Sequence, residues 1–254
     1  MRVALLSDVH ANLPALEAVL RDIDAMGVDA TYHLGDLVGY APWPDETIAL
    51  VRSRGIAGIA GNYDSTVGFG YKHCGCQYED PLQEAQSHES FAWTCVHTSV
   101  DARAWLRSLP FRLDLRVGGG HAGGPTLTLV HGTPTLNTLY WREDRSDDFC
   151  RQMAATAGRR AGDVVAFGHT HVPWHRVVDG IHFVNTGSVG RPKDGDWRAG
   201  YVVLAHDGEW RVSVHRVAYD LEQARRGILG STLPHAFADY LSSGGTPATP
   251  PVRG

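Results

Sequence analysis

Five short polar clusters close five apolar runs in this chain: Asp8-Val9-His10, Gly35-Asp36, Gly61-Asn62-Tyr63-Asp64, His131-Gly132 and Gly168-His169-Thr170-His171. Each puts a carboxylate, an amide or an imidazole where a strand would stop. Oxygen and nitrogen donors converging from several strand ends are what a site for two divalent cations needs. One such cluster is common; five in one chain are specific. Asp8 and His10 stand two residues apart, as do His169 and His171, so in an extended chain both members of each pair point to the same side. Asp36 has two oxygens and can bridge two cations. Asn62 offers a neutral carbonyl oxygen and His131 an imidazole. The neighbouring glycines allow sharp turns and close approach.

These side chains need a scaffold that delivers them to one place, and the pattern between them is that of an α/β sheet. A short apolar strand ends at Asp8. Asn12 is an N-cap, and Leu16, Val19, Leu20, Ile23 and Met26 recur at helical spacing up to a stop at Gly27. A strand over 30–34 ends at Gly35-Asp36, a helix covers 45–54, and a strand over 56–60 ends at Gly61-Asn62. The polar residues thus sit at C-terminal strand ends, where such sheets bind ligands. Residues 65–79, rich in Gly, Tyr, His and Cys, read as a lid-like loop. Asp80-Pro81 with Gln83 starts a helix that runs to His97, and a short helix follows over 102–109. Strands are expected over 113–117, 127–130, 164–167, 181–184, 200–205 and 210–217, with a glycine-rich turn at 118–124. Helices are expected over 147–157 and, as one or two pieces, 221–241. Residues 1–243 read as a single domain and 244–254 as a disordered tail.

The bulk numbers narrow the class. With 254 residues the chain can bury one sizeable core, and 43% apolar with 20% charged residues is ordinary for a soluble protein. A net charge of -5 gives no global pull toward duplex nucleic acid or an anionic membrane. No apolar stretch approaches a membrane span, and the start reads as a strand rather than a secretion signal. The four cysteines, Cys74, Cys76, Cys95 and Cys150, read as reduced thiols, which points to the cytoplasm. Cys74-Gly75-Cys76 beside His73 lacks the further ligands of a separate zinc site, so a loop near the substrate is expected.

In their order and spacing the five clusters resemble the calcineurin-like metallophosphoesterases. Asp36-Leu37-Val38-Gly39-Tyr40, Asn185-Thr186-Gly187-Ser188 and Val189-Gly190-Arg191-Pro192 resemble the small bacterial phosphodiesterase-type branch more closely, over residues 2–217. The resemblance implies an α/β (α+β) fold, a four-layer αββα sandwich of two mixed sheets flanked by helices. It implies two divalent metals, one on Asp8, His10, Asp36 and His171, the other on Asp36, Asn62, His131 and His169. A mixed nitrogen and oxygen set favours Mn, with Fe, Zn or Ni as alternatives. The expected reaction is hydrolysis of phosphodiester or activated phosphomonoester bonds by a hydroxide bridging metals roughly 3.5–4 Å apart. His10, Asp36, Asn62, Asp64 and His131 form the expected catalytic set, with Asp64 orienting a ligand. Tyr63, His97 and Arg191 are the candidate substrate contacts.

Many members of that family carry a His after the Gly-Asn, able to protonate the leaving group; here Tyr63 stands there. With a pKa near 10 a tyrosine is a weak acid at neutral pH, which favours diesters, activated esters or a donor elsewhere, such as His10, His73, His88 or His97. The expected substrate is a small phosphoester or nucleotide, with no strong duplex binding. Nuclease and dinucleoside polyphosphate hydrolase are the alternative enzymes, and a partner-binding scaffold is the non-enzymatic one. Small relatives often associate, so a homodimer is an expectation. Trp43, Tyr71 and Tyr78 are candidates to stack on a base; His33, His121, His175 and His182 are taken as structural.

Overall fold

Val3 and Leu5 face one core while Ala4 and Leu6 face another, so the first strand is apolar on both sides and must be covered twice. The structure, a computed structural model, describes residues 1–77, 80–117 and 124–245. The glycine-rich turn at 118–123, the tail beyond 245, Tyr78 and His121 lie outside the described residues.

The strands are β1 (Arg2–Leu6), β2 (Ala30–His33), β3 (Ala57–Gly58), β4 (Leu113–Arg116), β5 (Thr126–Leu129), β6 (Val164–Phe167), β7 (Trp174–Val178), β8 (Ile181–Asn185), β9 (Ala199–His206) and β10 (Trp210–Val217). The helices are α1 (Leu13–Met26), α2 (Pro44–Ser53), α3 (Asn62–Phe69), α4 (Pro81–His97), α5 (Val100–Ser108), α6 (Asp147–Ala157), α7 (Leu221–Leu229) and α8 (Ala236–Ser243). One sheet has the order β10-β9-β1-β2-β3 and the other β4-β5-β6-β8-β7. Both are mixed: β1, β2 and β3 run parallel, as do β5, β6 and β8, with antiparallel strands at the margins.

The strand period of two distributes side chains between layers. Val3, Leu5, Leu127, Leu129, Val164, Ala166, Val202 and Leu204 fill the space between the sheets. Ala4, Leu6, Tyr201 and Val203 pack outward with α1 residues such as Leu16 and Val19. Val165, Phe167 and Phe183 pack outward against Cys150 and Met153 of α6 and the buried Trp141. The expected four-layer sandwich is therefore present.

Helix ends follow the local rules. The Asn12 side chain accepts from Ala15 N, and Gly27 closes α1 in the left-handed conformation. Asp80 accepts from Leu82 N, with Pro81 in the first turn. The lid-like loop is corrected in its first half: residues 62–69 form α3. Buried residues occupy Asn62, Tyr63, Asp64, Thr66, Val67 and Gly68, so this helix has no one-sided apolar stripe to read. The edge strand β7 was also absent from the sequence expectation. Among the described residues no helix is long and apolar enough to cross a membrane. Among the described residues no cysteine forms a disulfide.

Candidate metal centre

Each expected ligand follows a strand or opens a helix at the same end of the two sheets. Asp8 and His10 follow β1, Asp36 follows β2, Asn62 opens α3, His131 follows β5, and His169 and His171 follow β6. All seven are buried. Asp8, His10 and His171 form one group of converging ligand atoms and Asp36, His131 and His169 another, each within 4.8 Å. Asn62 Oδ1 joins the second group, 3.1 Å from His131 Nε2. Asp36 Oδ2 lies 3.4 Å from His131 Nε2 and 3.9 Å from His10 Nε2, between the groups.

The backbone achieves this by a route the extended-chain expectation did not contain. Asp8, His10, Asp36, His169 and His171 have φ of 53°, 49°, 53°, 66° and 63°. The two pairs thus converge through left-handed turns, not through extended chain. Such conformations cost non-glycine residues on the order of 1–3 kcal/mol each and persist where surroundings hold them. Here Asp8 N donates to Gly35 O, His10 N to Asp36 O and Ala11 N to Leu37 O at 2.8–3.0 Å, locking the first loop onto the second.

The donor atoms are oriented inward. Nδ1 of His10, His131 and His171 lies 3.1, 2.7 and 2.6 Å from the carbonyls of Val38, Leu34 and Arg191. A carbonyl can only accept, so Nδ1 carries the hydrogen and leaves Nε2 with its lone pair directed at the centre. The Nε2 atoms of His10 and His171 are 3.1 Å apart; two lone pairs at that distance repel unless a cation or proton lies between them. Asp8 Oδ1 and His169 Nε2 are buried without a hydrogen-bond partner, a costly state unless something positive meets them. This donor set fits two divalent cations.

Electrostatics agree. Burial pushes His10 and His169 well below the usual histidine value and also lowers His171, favouring the neutral, ligating form. His131 differs: burial acts downward, but the Asp36 carboxylate outweighs it and raises the value to about 10, so without a cation its Nε2 carries a proton that a bound metal would displace. Burial would raise Asp8, yet the imidazoles of His171, His131 and His10 hold it well below the carboxylate range. Asp8 thus supplies negative charge that a cation needs.

A second set of residues holds the ligands. Asp36 Oδ1 accepts from Tyr63 N at 2.8 Å, at the start of α3. Asp64 accepts from Leu37 N and Gly61 N at 2.9 and 3.0 Å, tying the Asp36 loop to the Asn62 loop. It acts as a positioning residue, and burial with the charge of Asp36 raises its carboxyl to about 7. Asp8 Oδ2 accepts from His169 N at 2.9 Å, joining the two sheets. Asn185 donates to Gly168 O, and the Ser188 hydroxyl to Asp8 O. A Cβ on Gly61 would stand 2.0 Å from Asp36 Oδ1, and one on Gly168 2.4 Å from Asp8 Oδ2, so both positions need glycine.

Over the centre lies a cavity of about 760 Å³ reached by His10, Asp36, His169 and His171. Tyr63 and Arg191 line it, as expected. His97 does not. It sits at the far end of α4, exposed, with its ring stacked 3.7 Å from Trp93, about 15 Å along the helix axis from the cavity-lining Ser87. Trp43 and Tyr71 are also outside: Trp43 packs beneath Gly227, and Tyr71 is exposed near Phe69. The aromatic walls are instead Tyr40, Tyr63, Tyr140, Trp174 and Tyr240. Tyr140, which stacks on His169 at 4.2 Å, was missed, because it lies in no motif or periodic run, whereas Lys193, next to the Val189–Pro192 motif and a sequence candidate for holding a phosphate, does reach the cavity. Cys76 reaches the cavity, its sulfur 3.2 Å from Asn62 Nδ2, which also donates to Cys74 O at 3.1 Å. The Cys74 carbonyl and the Cys76 sulfur therefore help aim Asn62 Oδ1 inward.

Comparison with known proteins places this geometry. Residues 1–209 match the family described as the calcineurin-like phosphoesterase superfamily domain. A metallophosphoesterase crystal structure from Sphaerobacter thermophilus is 30% identical, covers 96% of this chain and 100% of its own, and superposes with a TM-score of 0.73. A hypothetical protein, PH1004 from Pyrococcus horikoshii OT3, is 21% identical with a TM-score of 0.81 over 97% of this chain and 99% of its own, and shares the fold. Phosphodiesterase YfcE from Escherichia coli K12 is 27% identical over 77% of this chain and 83% of its own. The chain belongs to the calcineurin-like phosphoesterase superfamily and is a metal-dependent phosphoric ester hydrolase.

Proposed function

We propose that this enzyme cleaves phosphodiesters and activated phosphomonoesters of small molecules, with Asp8, His10, Asp36 and His171 holding one divalent metal and Asp36, Asn62, His131 and His169 the other. The observation that carries this reading is the inward set of lone pairs: three Nε2 atoms fixed by Nδ1–carbonyl bonds, and the partnerless Asp8 Oδ1 and His169 Nε2. Two divalent cations held there would supply Lewis acidity for displacement at phosphorus. The protein's own residues prepare the geometry. Tyr63 N holds one oxygen of Asp36 and leaves the other facing the centre. Asp64 fixes the spacing of the Asp36 and Asn62 loops.

Burial and the neighbouring thiols raise the pKa of Tyr40 and of Tyr140 above the ordinary tyrosine value. Both phenols therefore keep their protons at neutral pH and can donate to phosphoryl oxygens. Tyr63 occupies the position after Asn62 and is buried at the cavity wall. A phenol there is a weak acid toward a departing alkoxide, which favours substrates with stable leaving groups. The similarity to a protein named a phosphodiesterase supports the diester preference. The mixed nitrogen and oxygen donors support Mn, with Fe, Zn or Ni as alternatives.

The same reading takes residues 1–243 as one domain of a cytoplasmic homodimer that does not bind duplex nucleic acid strongly. The net charge of -5 supports the last point, and light scattering tests the dimer. Metal analysis followed by assay with bis-p-nitrophenyl phosphate tests the activity. Two metals per chain and Mn-stimulated hydrolysis are expected; a Mn-loaded protein that cleaves no phosphoester would sink it.

A further inference from the structure

Arg191 and Lys193 both line the cavity over the metal centre. Their segment is tied to that centre at two points: Arg191 O receives the Nδ1 hydrogen of His171 at 2.6 Å, and Lys193 N donates to His171 O at 3.3 Å. Arg191 is 7% exposed, and its guanidinium carbon lies 4.1 Å from the ring centre of Tyr40, 5.3 Å from Phe237 and 5.4 Å from Tyr240. Stacking of this kind holds the guanidinium plane and leaves its N–H edges available. Among the described residues no carboxylate lies within 4.0 Å of the charged nitrogens of Arg191 or Lys193. An enclosed cation without a counter-ion is costly and is kept where a ligand supplies the charge.

The surroundings do not supply it otherwise. Under the metal assignment proposed above, the cations more than cancel Asp8 and Asp36, so those carboxylates are not counter-ions to Arg191 and Lys193. Glu84 and Glu143 reach the cavity but are exposed to solvent, and Arg142 lies beside Glu143 at the same mouth. A diester with a single negative charge answers the metals alone. The buried Arg191, with Lys193 beside it at the cavity wall, calls for additional anionic charge on the substrate.

We propose that Arg191 and Lys193 form a subsite for a second phosphoryl group, so that the substrate class is a phosphoester bearing a further phosphate next to the scissile one. This rests on the phosphoesterase reading above. Arg191 presents its fork to two phosphate oxygens, with Tyr40, Phe237 and Tyr240 fixing its plane, and Lys193 adds a point charge. The volume of about 760 Å³ accommodates a nucleotide-sized molecule of this class.

The test compares AMP with α,β-methylene-ADP, whose P–C–P link resists hydrolysis, by calorimetric titration into the metal-loaded protein. The wild type is expected to bind the diphosphate analogue at least about tenfold more tightly than AMP, the scale of one or two charge-assisted hydrogen bonds. Arg191→Gln and Lys193→Gln should each shrink that ratio severalfold, and Arg191→Lys should retain part of it. An unchanged ratio in both glutamine variants would assign the second phosphate to the metals and overturn the inference, as would no preference in the wild type. Should Arg191→Gln fail to fold, Lys193→Gln decides alone, since Lys193 is a solvent-exposed residue at the cavity wall and its replacement leaves the core untouched. Hydrolysis of bis-p-nitrophenyl phosphate by the wild type, measured in parallel, tests the underlying reading separately; its absence removes both.

Discussion

Asp36 joins the two ligand groups through one oxygen while Tyr63 N holds the other. Asp36→Asn preserves shape and removes the charge. It should lower kcat/KM toward bis-p-nitrophenyl phosphate by at least about 10²–10³-fold, with metal content dropping below two per chain by elemental analysis. Retained turnover at wild-type metal content would exclude the bridging role. Tyr63 governs a different step. A histidine there has a pKa nearer neutrality, so Tyr63→His should lessen the dependence of rate on leaving-group pKa across a series of aryl and alkyl esters. An unchanged slope would place the proton donor elsewhere. Both residues stood out in the sequence because their side-chain chemistry is local to a motif. Tyr140 did not, since it approaches the centre only through long-range folding.

The loops between elements decide how those side chains meet. Left-handed turns after β1, β2 and β6 carry Asp8, His10, Asp36, His169 and His171, and the glycines beside them leave room for the carboxylates. Gly168→Ala would drive a methyl group toward Asp8 Oδ2 and Ser7 Oγ. We expect metal affinity to fall by about 10–100-fold, read by competition with a chelating dye, while circular dichroism retains the helix and strand signal. Unaltered affinity would mean that the loop tolerates a Cβ. Helices with caps and one apolar side were legible: α1 and α4 begin at Asn12 and Asp80 as their caps dictate. The helix α3 was not, because it is buried on several sides and begins at a ligand rather than at a side-chain cap.

At the scale of the molecule, two sheets share one core and the metal centre spans both, so metal binding and stability are linked. Saturation at a hundredfold over Kd adds about 2.7 kcal/mol per site; a chelator should therefore lower the melting temperature, and an unchanged value would separate the site from the fold. A second linkage acts away from the centre. His33 is fully buried, neither ring nitrogen has a hydrogen-bond partner, and burial lowers its pKa from 6.5 to about 3. The unfolded chain takes up this proton below pH 6.5 while the folded chain refuses it until about pH 3. Stability from this group is thus complete above pH 6.5 and falls with acid, by about 2 kcal/mol at pH 5. Urea titrations should register that loss, and His33→Leu should flatten it. An equal acid loss in the variant would shift the cause to other groups.

The sequence alone determined the donor types, their order and the strands that carry them. Those are matters of residue chemistry and of short-range period, including the split of Val3, Ala4, Leu5 and Leu6 between two cores. Tertiary structure decided what depends on distant segments coming together. It closed Asp8 onto His169 across the two sheets, set Asp8 and His10 in left-handed turns rather than extended chain, and removed His97 to the far end of its helix. It also stacked Arg191 among Tyr40, Phe237 and Tyr240, residues whose separation in sequence gives no local signal. Loop conformation and cavity lining are held by hydrogen bonds and packing between elements far apart in the chain, which residue order does not encode at short range.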